Sequence, residues 1–208
     1  MIYSEQDLNE LKELVEQRVS PKRFSHVLGV ERCAARLASS LIPDSISEVR
    51  AAAILHDVSK QLPYAEQIDL LNEAGFELND EDMLTEGVLH SFTAPIIIKR
   101  DFEKFSTDDI LSATLKHTVG DEEMSIFDKI IFISDYAEDT RTYDSCIMVR
   151  DRLFEGFEVL PYSDKVKRLN EACLESIDGA LEALKRLGSP INSRMYKTRE
   201  MLLSQLIP

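Results

Sequence analysis

The apolar run Ala51-Ala52-Ala53-Ile54-Leu55 ends directly in His56-Asp57. A helix that is apolar all round must be surrounded by protein, so the two polar side chains that close this run enter the interior with it. A polar group buried without a partner costs roughly 1–3 kcal/mol, and an unpaired charge costs more. Imidazole beside carboxylate is also a pair of metal ligands. The chain has three other histidines, His26, His90 and His117. Each lies in or beside a segment with helical apolar periodicity, and a single metal centre would account for all four.

Helical spacing covers nearly the whole chain. Ser4 with Asp7 reads as an N-terminal cap, followed by a helix to about Val19. Ser20-Pro21 starts a second helix, which Pro43 stops after about Leu41. Within it His26, Val30, Cys33 and Leu37 share a face. A third helix is expected from about Ser47 to Lys60, with Val49, Ala52, Ala53 and His56 aligned and Asp57 about 100° further round. Two short helices follow, one from Pro63 to Gly75 and one from Asp80 to Glu86, the latter stopped by Gly87. His90 stands at the entry of a helix over about Ser91–Glu103, with Pro95 in or near its first turn.

Ser106-Thr107-Asp108-Asp109 opens the next helix, which ends at His117-Thr118 before Gly120. Phe127–Tyr136 has the β-branched content of a strand. A stretch of about 16 residues without Gly or Pro, in a helical context, assigns it to helix and aligns Asp135 with Ile131 and Phe132. Helices at about Asp144–Phe154, at about Tyr162–Leu187 and from Asn192 or Ser193 complete an all-α reading.

At 208 residues the chain is long enough for one good-sized core, and no linker marks a boundary. One domain over 1–208 is expected, with a metal-site core over about residues 20–150 and C-terminal helices over about 144–208 packed on it. The net charge of −14 argues against wrapping long nucleic acid. It does not exclude a small phosphorylated substrate, because a metal and a few local cations reverse the potential of one cleft. Cys33, Cys146 and Cys173 are odd in number, widely spaced and in apolar patterns, as expected of reduced core thiols in a cytoplasmic protein. The first residues lack the basic and apolar regions of a signal peptide, and no run reaches the roughly 18 apolar residues of a membrane span.

Six residues form the candidate centre: His26, His56, Asp57, His90, His117 and Asp135. Four imidazoles and two carboxylates suit Fe, Mn, Co, Ni or Zn better than Mg. One ion could take His26, His56, Asp57 and Asp135, and a second His90 and His117 with Asp57 bridging. Two ions about 3.5–4 Å apart hold a hydroxide and clamp both oxygens of a phosphoryl displacement. Taken singly, each histidine is more simply a satisfied core residue, but that explanation must then hold for all of them together. Motifs for serine nucleophiles, phosphate loops, dinucleotide binding and H-E-x-x-H zinc sites are absent.

The order Arg23-x-x-His26, His56-Asp57-x-x-Lys60, His90, His117-Thr118 and Asp135 resembles the dinuclear branch of the HD metal-dependent phosphohydrolases. More narrowly, Leu55–Lys60, Leu89-His90-Ser91, Lys116–Gly120, Met124-Ser125 and Ile131–Arg141 resemble the symmetrical bis(nucleosyl)-tetraphosphatases of that superfamily. The likeness covers about residues 20–150. Ser134 and Val119 depart from it, and neither is a proposed ligand. The resemblance implies an HD bundle of about 8 to 11 helices with a dinuclear centre, iron first among the metals. It also implies hydrolysis of diadenosine tetraphosphate to two ADP by attack of a metal-bound hydroxide. Asp57 and Lys60 are then the catalytic candidates, and Arg23, Lys60, Thr118 and Arg141 the substrate contacts. Arg141 has an alternative as an ion-pair partner of Glu138, Asp139 or Asp144, and Thr118 as a helix-end cap. Another HD nucleotide phosphodiesterase, or a di-iron HD oxygenase, shares the ligand set and stays open at this point. A homodimer is compatible with the sequence; a membrane or long nucleic acid partner is not expected.

Overall fold

A computed structural model describes residues 2–207. Among them are eleven α-helices, three single-turn 3-10 helices and no strand. The helices are α1 (Glu5–Glu16), α2 (Pro21–Leu41), α3 (Ile46–Leu55), α4 (Tyr64–Glu73), α5 (Asp80–Leu84), α6 (Glu86–Asp101), α7 (Asp108–Lys116), α8 (Ile126–Ala137), α9 (Asp144–Phe154), α10 (Tyr162–Leu187) and α11 (Arg194–Ser204). No helix of the described residues is long and apolar enough to cross a membrane.

Helix α3 lies at the centre, packed against α1, α2, α7 and α8. Ala51, Ala52, Ala53, Ile54 and Leu55 are all fully buried, as an all-round apolar segment requires. The three alanines keep α3 slim, which lets its neighbours approach closely. Helix α8 is the second buried axis: Ile130, Ile131 and Ile133 are fully buried, and α8 packs on α2, α7 and α10. The helical assignment of this β-branched stretch therefore holds, because packing outweighs strand propensity. Ser4 and Asp7 form a reciprocal capping box on α1. Ser20 caps α2, with Pro21 at its first position. The three cysteines are buried and free.

Three boundaries differ from the sequence reading. Helix α3 ends at Leu55, not Lys60. Beyond it, three-residue turns replace the helical ladder: Val58 N–H donates to Leu55 O at 3.0 Å, Lys60 N–H to Asp57 O at 3.0 Å and Leu62 N–H to Ser59 O at 3.1 Å. Helix α5 stops at Thr85, whose hydroxyl donates back to Glu81 O at 2.8 Å. Gly87 instead lies in the first turn of α6, so α6 starts earlier than expected and carries His90 in its interior. Pro95 is likewise an interior residue of α6 rather than a first-turn one.

Candidate metal centre

Five elements deliver the six candidate ligands to one buried point. Helix α2 contributes His26, the turn after α3 contributes His56 and Asp57, α6 contributes His90, the end of α7 contributes His117, and α8 contributes Asp135. In that turn His56 keeps helical φ and ψ of −53° and −37°, and the roughly 100° between it and Asp57 lets both side chains reach one point, as the sequence reading expected. A hydroxyl chain locks α6 onto this turn. Thr93 donates to Ser59 Oγ at 2.8 Å, and Ser59 donates to the His90 carbonyl at 2.8 Å.

Asp57 sits in the middle. Its Oδ2 lies 3.3 Å from His56 Nε2 and 3.8 Å from His26 Nε2. Its Oδ1 lies 3.2 Å from His90 Nε2 and 3.8 Å from His117 Nε2. Asp135 Oδ1 closes the first group, 2.9 Å from His26 Nε2 and 3.8 Å from His56 Nε2. The ligand atoms of His26, His56 and Asp135 lie within 4.8 Å of one another, as do those of His56, Asp57 and His117. His90 and His117 approach Nε2 to Nε2 at 3.0 Å, which adds His90 to the second group.

The ring orientations fit cation binding. His56 Nδ1–H donates to Ala53 O at 2.7 Å, and His117 Nδ1–H donates to Thr114 O at 2.7 Å. A carbonyl only accepts, so in the neutral rings the proton is on Nδ1 and the Nε2 lone pair points into the site. His26 Nδ1 lies 3.0 Å from Glu138 Oε1, which aims the third ring in the same way. His26 Nε2 and His56 Nε2 are buried without a hydrogen bond. In the neutral rings these lone pairs face carboxylate oxygens, an arrangement costly in isolation that a divalent cation would relieve. Each group could therefore hold a metal ion.

The electrostatics agree. Burial works against ionisation of Asp57 and Asp135, yet the surrounding imidazoles, and Arg141 beside Asp135, hold both well below the usual carboxylate range. Burial pushes His90 down to about 4, against the pull of Asp57 and with the help of Lys60. It is thus a neutral imidazole at physiological pH, the form that could hold a metal ion. His26 differs: burial opposes its charge, but the Asp135 and Glu138 carboxylates prevail and push it up to about 9. A cation at Nε2 would take the place of that positive charge.

The expected substrate residues surround the same point. Arg23 Nη1 donates to Asp57 Oδ2 at 2.8 Å. Lys60 Nζ lies 3.1 Å from His90 Nδ1 and 3.2 Å from its Nε2. Thr118 Oγ1 lies 3.3 Å from His90 Nε2. Arg141 donates to the Asp135 carboxylate at 2.9 Å and to its carbonyl at 3.0 Å. An open cleft of about 810 Å³ reaches His26 from solvent, and Lys22, Arg23, Lys60, Arg141 and Tyr143 line it. Lys22, Arg23, Lys60 and Arg141 concentrate four cations around this cleft in a chain of net charge −14.

Glu138 is the residue that the sequence reading left as an ion-pair partner of Arg141. It is fully buried. Besides orienting His26, it accepts from Thr140 N–H at 2.5 Å and Thr140 Oγ1 at 2.6 Å. A side chain at Gly29 would collide with its carboxylate.

The chain is similar to several known proteins. The family model described as HD domain matches residues 23–140, more than half of the chain. A Staphylococcus aureus protein named bis(5'-nucleosyl)-tetraphosphatase, symmetrical, is 29% identical over 71% of this chain and 75% of its own. A Bacillus subtilis protein of the same name is 27% identical over 91% of this chain and 94% of its own. A crystal structure from Clostridium acetobutylicum, described as a predicted HD superfamily hydrolase involved in NAD metabolism, superposes with a TM-score of 0.81 at 28% identity. It covers 95% of this chain and 97% of that one.

Proposed function

The chain belongs to the HD-domain family, and on that premise we propose that it is a metal-dependent hydrolase cleaving diadenosine tetraphosphate symmetrically into two ADP. The observation that carries the reading is Asp57, whose two oxygens face two different pairs of histidines, as a carboxylate bridging two ions must. The four cations of the cleft support a polyphosphate substrate over the small organic substrate of a di-iron oxygenase. The names of the S. aureus and B. subtilis relatives support the choice of substrate and the symmetry of cleavage.

In this reading His26, His56, Asp57 and Asp135 hold one ion, and His90 and His117 hold the other with Asp57 shared. Two divalent cations, iron first among them, would supply a nucleophile at neutral pH and offset phosphate charge. The chain's own side chains do the rest. Lys60 and Arg23 hold phosphate oxygens that gain negative charge as the bond breaks. Arg141 keeps Asp135 oriented and offers a further donor to the polyphosphate, and Thr118 offers a hydroxyl. Tyr143, 70% exposed at the cleft, presents an aromatic face on which a nucleobase stacks. The same reading treats the chain as a single HD domain, with the helices after residue 144 packed on the metal-site core. The free, buried thiols support a cytoplasmic enzyme.

The test is product analysis of diadenosine tetraphosphate with Fe²⁺ or Mn²⁺. ADP as sole product is expected. AMP plus ATP, or no turnover with any divalent metal, overturns the proposal.

A further inference from the structure

Helix α11 lies outside the residues matched by the family model. Its N-terminal end nevertheless holds both the turn between α5 and α6, which leads into the helix carrying His90, and the turn that follows His117. On one side, Asn192 donates to Asp82 Oδ1 at 2.9 Å and to Thr85 Oγ1 at 3.2 Å. The Arg194 guanidinium pairs with both oxygens of Asp82, which is fully buried. Thr85 is the N-cap of α6, five residues before His90. Arg194 also lies 4.9 Å over the ring of Phe92, two residues after His90.

On the other side, Thr198 Oγ1 donates to Val119 O at 2.8 Å. The Thr198 side chain fills the space that a Cβ at Gly120 would need, and Gly120 has the left-handed φ of +72° that favours glycine. Val119 and Gly120 follow His117-Thr118 directly. Arg194 and Thr198 are four residues apart, so one face of one helix touches both turns. The first-ion ligands are held otherwise: Glu138 orients His26, Arg141 orients Asp135, and the Ala53 carbonyl orients His56.

We infer that α11 is a brace that sets the spacing of His90 and His117, and with it the affinity of the second ion. Asn192, Arg194 and Thr198 are its positioning residues. The inference rests on the two-ion reading above.

Calorimetric titration of the metal-free full-length protein with Mn²⁺ tests it, in wild type, Thr198→Val, Thr198→Ser, Arg194→Met and the Thr198→Val/Arg194→Met double variant, with His117→Ala to identify the second ion. Thr198→Val keeps the shape and removes the donor. Removing such outer support costs about tenfold or more in metal affinity. The double variant should weaken the ion that His117→Ala weakens by about tenfold and leave the other within about twofold. Thr198→Ser, which restores the hydroxyl, should bind like wild type. Two unchanged affinities, or an equal loss at both sites, overturn the brace. Thermal unfolding of each metal-free variant is run in parallel; if the double variant is unfolded, the comparison is read from Thr198→Val and Arg194→Met singly. A wild-type isotherm with one ion per chain overturns the two-ion reading instead, and the brace with it.

Discussion

Glu138 holds His26 from behind, its Oε1 3.0 Å from the ring Nδ1, at a separation of 112 residues in the chain. The contact exists only because Gly29 leaves room for the carboxylate. Gly29→Ala touches no proposed ligand, and alanine improves helix propensity by about 1 kcal/mol. The variant should still lose metal affinity, by about tenfold to a hundredfold, as outer-shell changes do. Glu138→Gln should lose affinity in the same direction. Equilibrium dialysis with Mn²⁺ checks both, and an unchanged affinity in Gly29→Ala would show that Glu138 does not orient a ligand.

Lys60 stands against the His90 ring. Its charge favours phosphate and opposes a second cation. Lys60→Met should therefore lower kcat by about a hundredfold, the loss typical of one donor to a developing negative charge. The same variant should bind the second ion at least as tightly as wild type. Steady-state kinetics and metal titration on one preparation separate the two effects.

Tyr143 is exposed and its side chain caps no helix. Base stacking is worth about 1–3 kcal/mol. Tyr143→Ala should raise KM for diadenosine tetraphosphate by about tenfold with little change in kcat, whereas Tyr143→Phe should resemble wild type. Inhibition by inorganic tripolyphosphate, which has no base, should be the same in all three.

Asp82 links pH to stability. Burial favours its neutral form, but Arg194, Asn192 and the Asn79 N–H outweigh that and lower its pKa from 3.8. A depressed carboxyl stabilises the fold above the unfolded value and loses that contribution as pH falls through the folded one. Asp82→Asn should cost about 2 kcal/mol at neutral pH, in the range of hydrogen bonds to charged groups. The gap between wild type and variant should close as pH falls below 3.8. Urea unfolding of both proteins from pH 7 downward measures it.

The six candidate residues that the structure gathers were legible in the sequence because each interrupts an apolar helical stripe, and a chain with four histidines leaves little room for coincidence. Fold class was legible from helical periodicity over most of the chain, and in the β-branched run Ile130–Ile133 from a long stretch without Gly or Pro in a helical context. What escaped depends on distant partners. The turn over residues 56–62 reads as a continued helix, and the contacts that accompany it, from Thr93 to Ser59 and from Ser59 to the His90 carbonyl, come from more than 30 residues away. Gly87 reads as a stop, but Thr85 ends α5, its N–H and hydroxyl both bonding back to the helix, and Asp82 pairs with the distant Arg194. Glu138 looks like a surface partner of Arg141 until α2 is seen to bury it.

The measurement closest to the central claim is the number of ions retained by Asp57→Ala and His117→Ala, counted by elemental analysis after anaerobic purification and compared with wild type. A bridging Asp57 predicts two ions in wild type, loss of both in Asp57→Ala, and loss confined to one in His117→Ala. Two tightly bound ions in Asp57→Ala would contradict the bridge and the mechanism built on it.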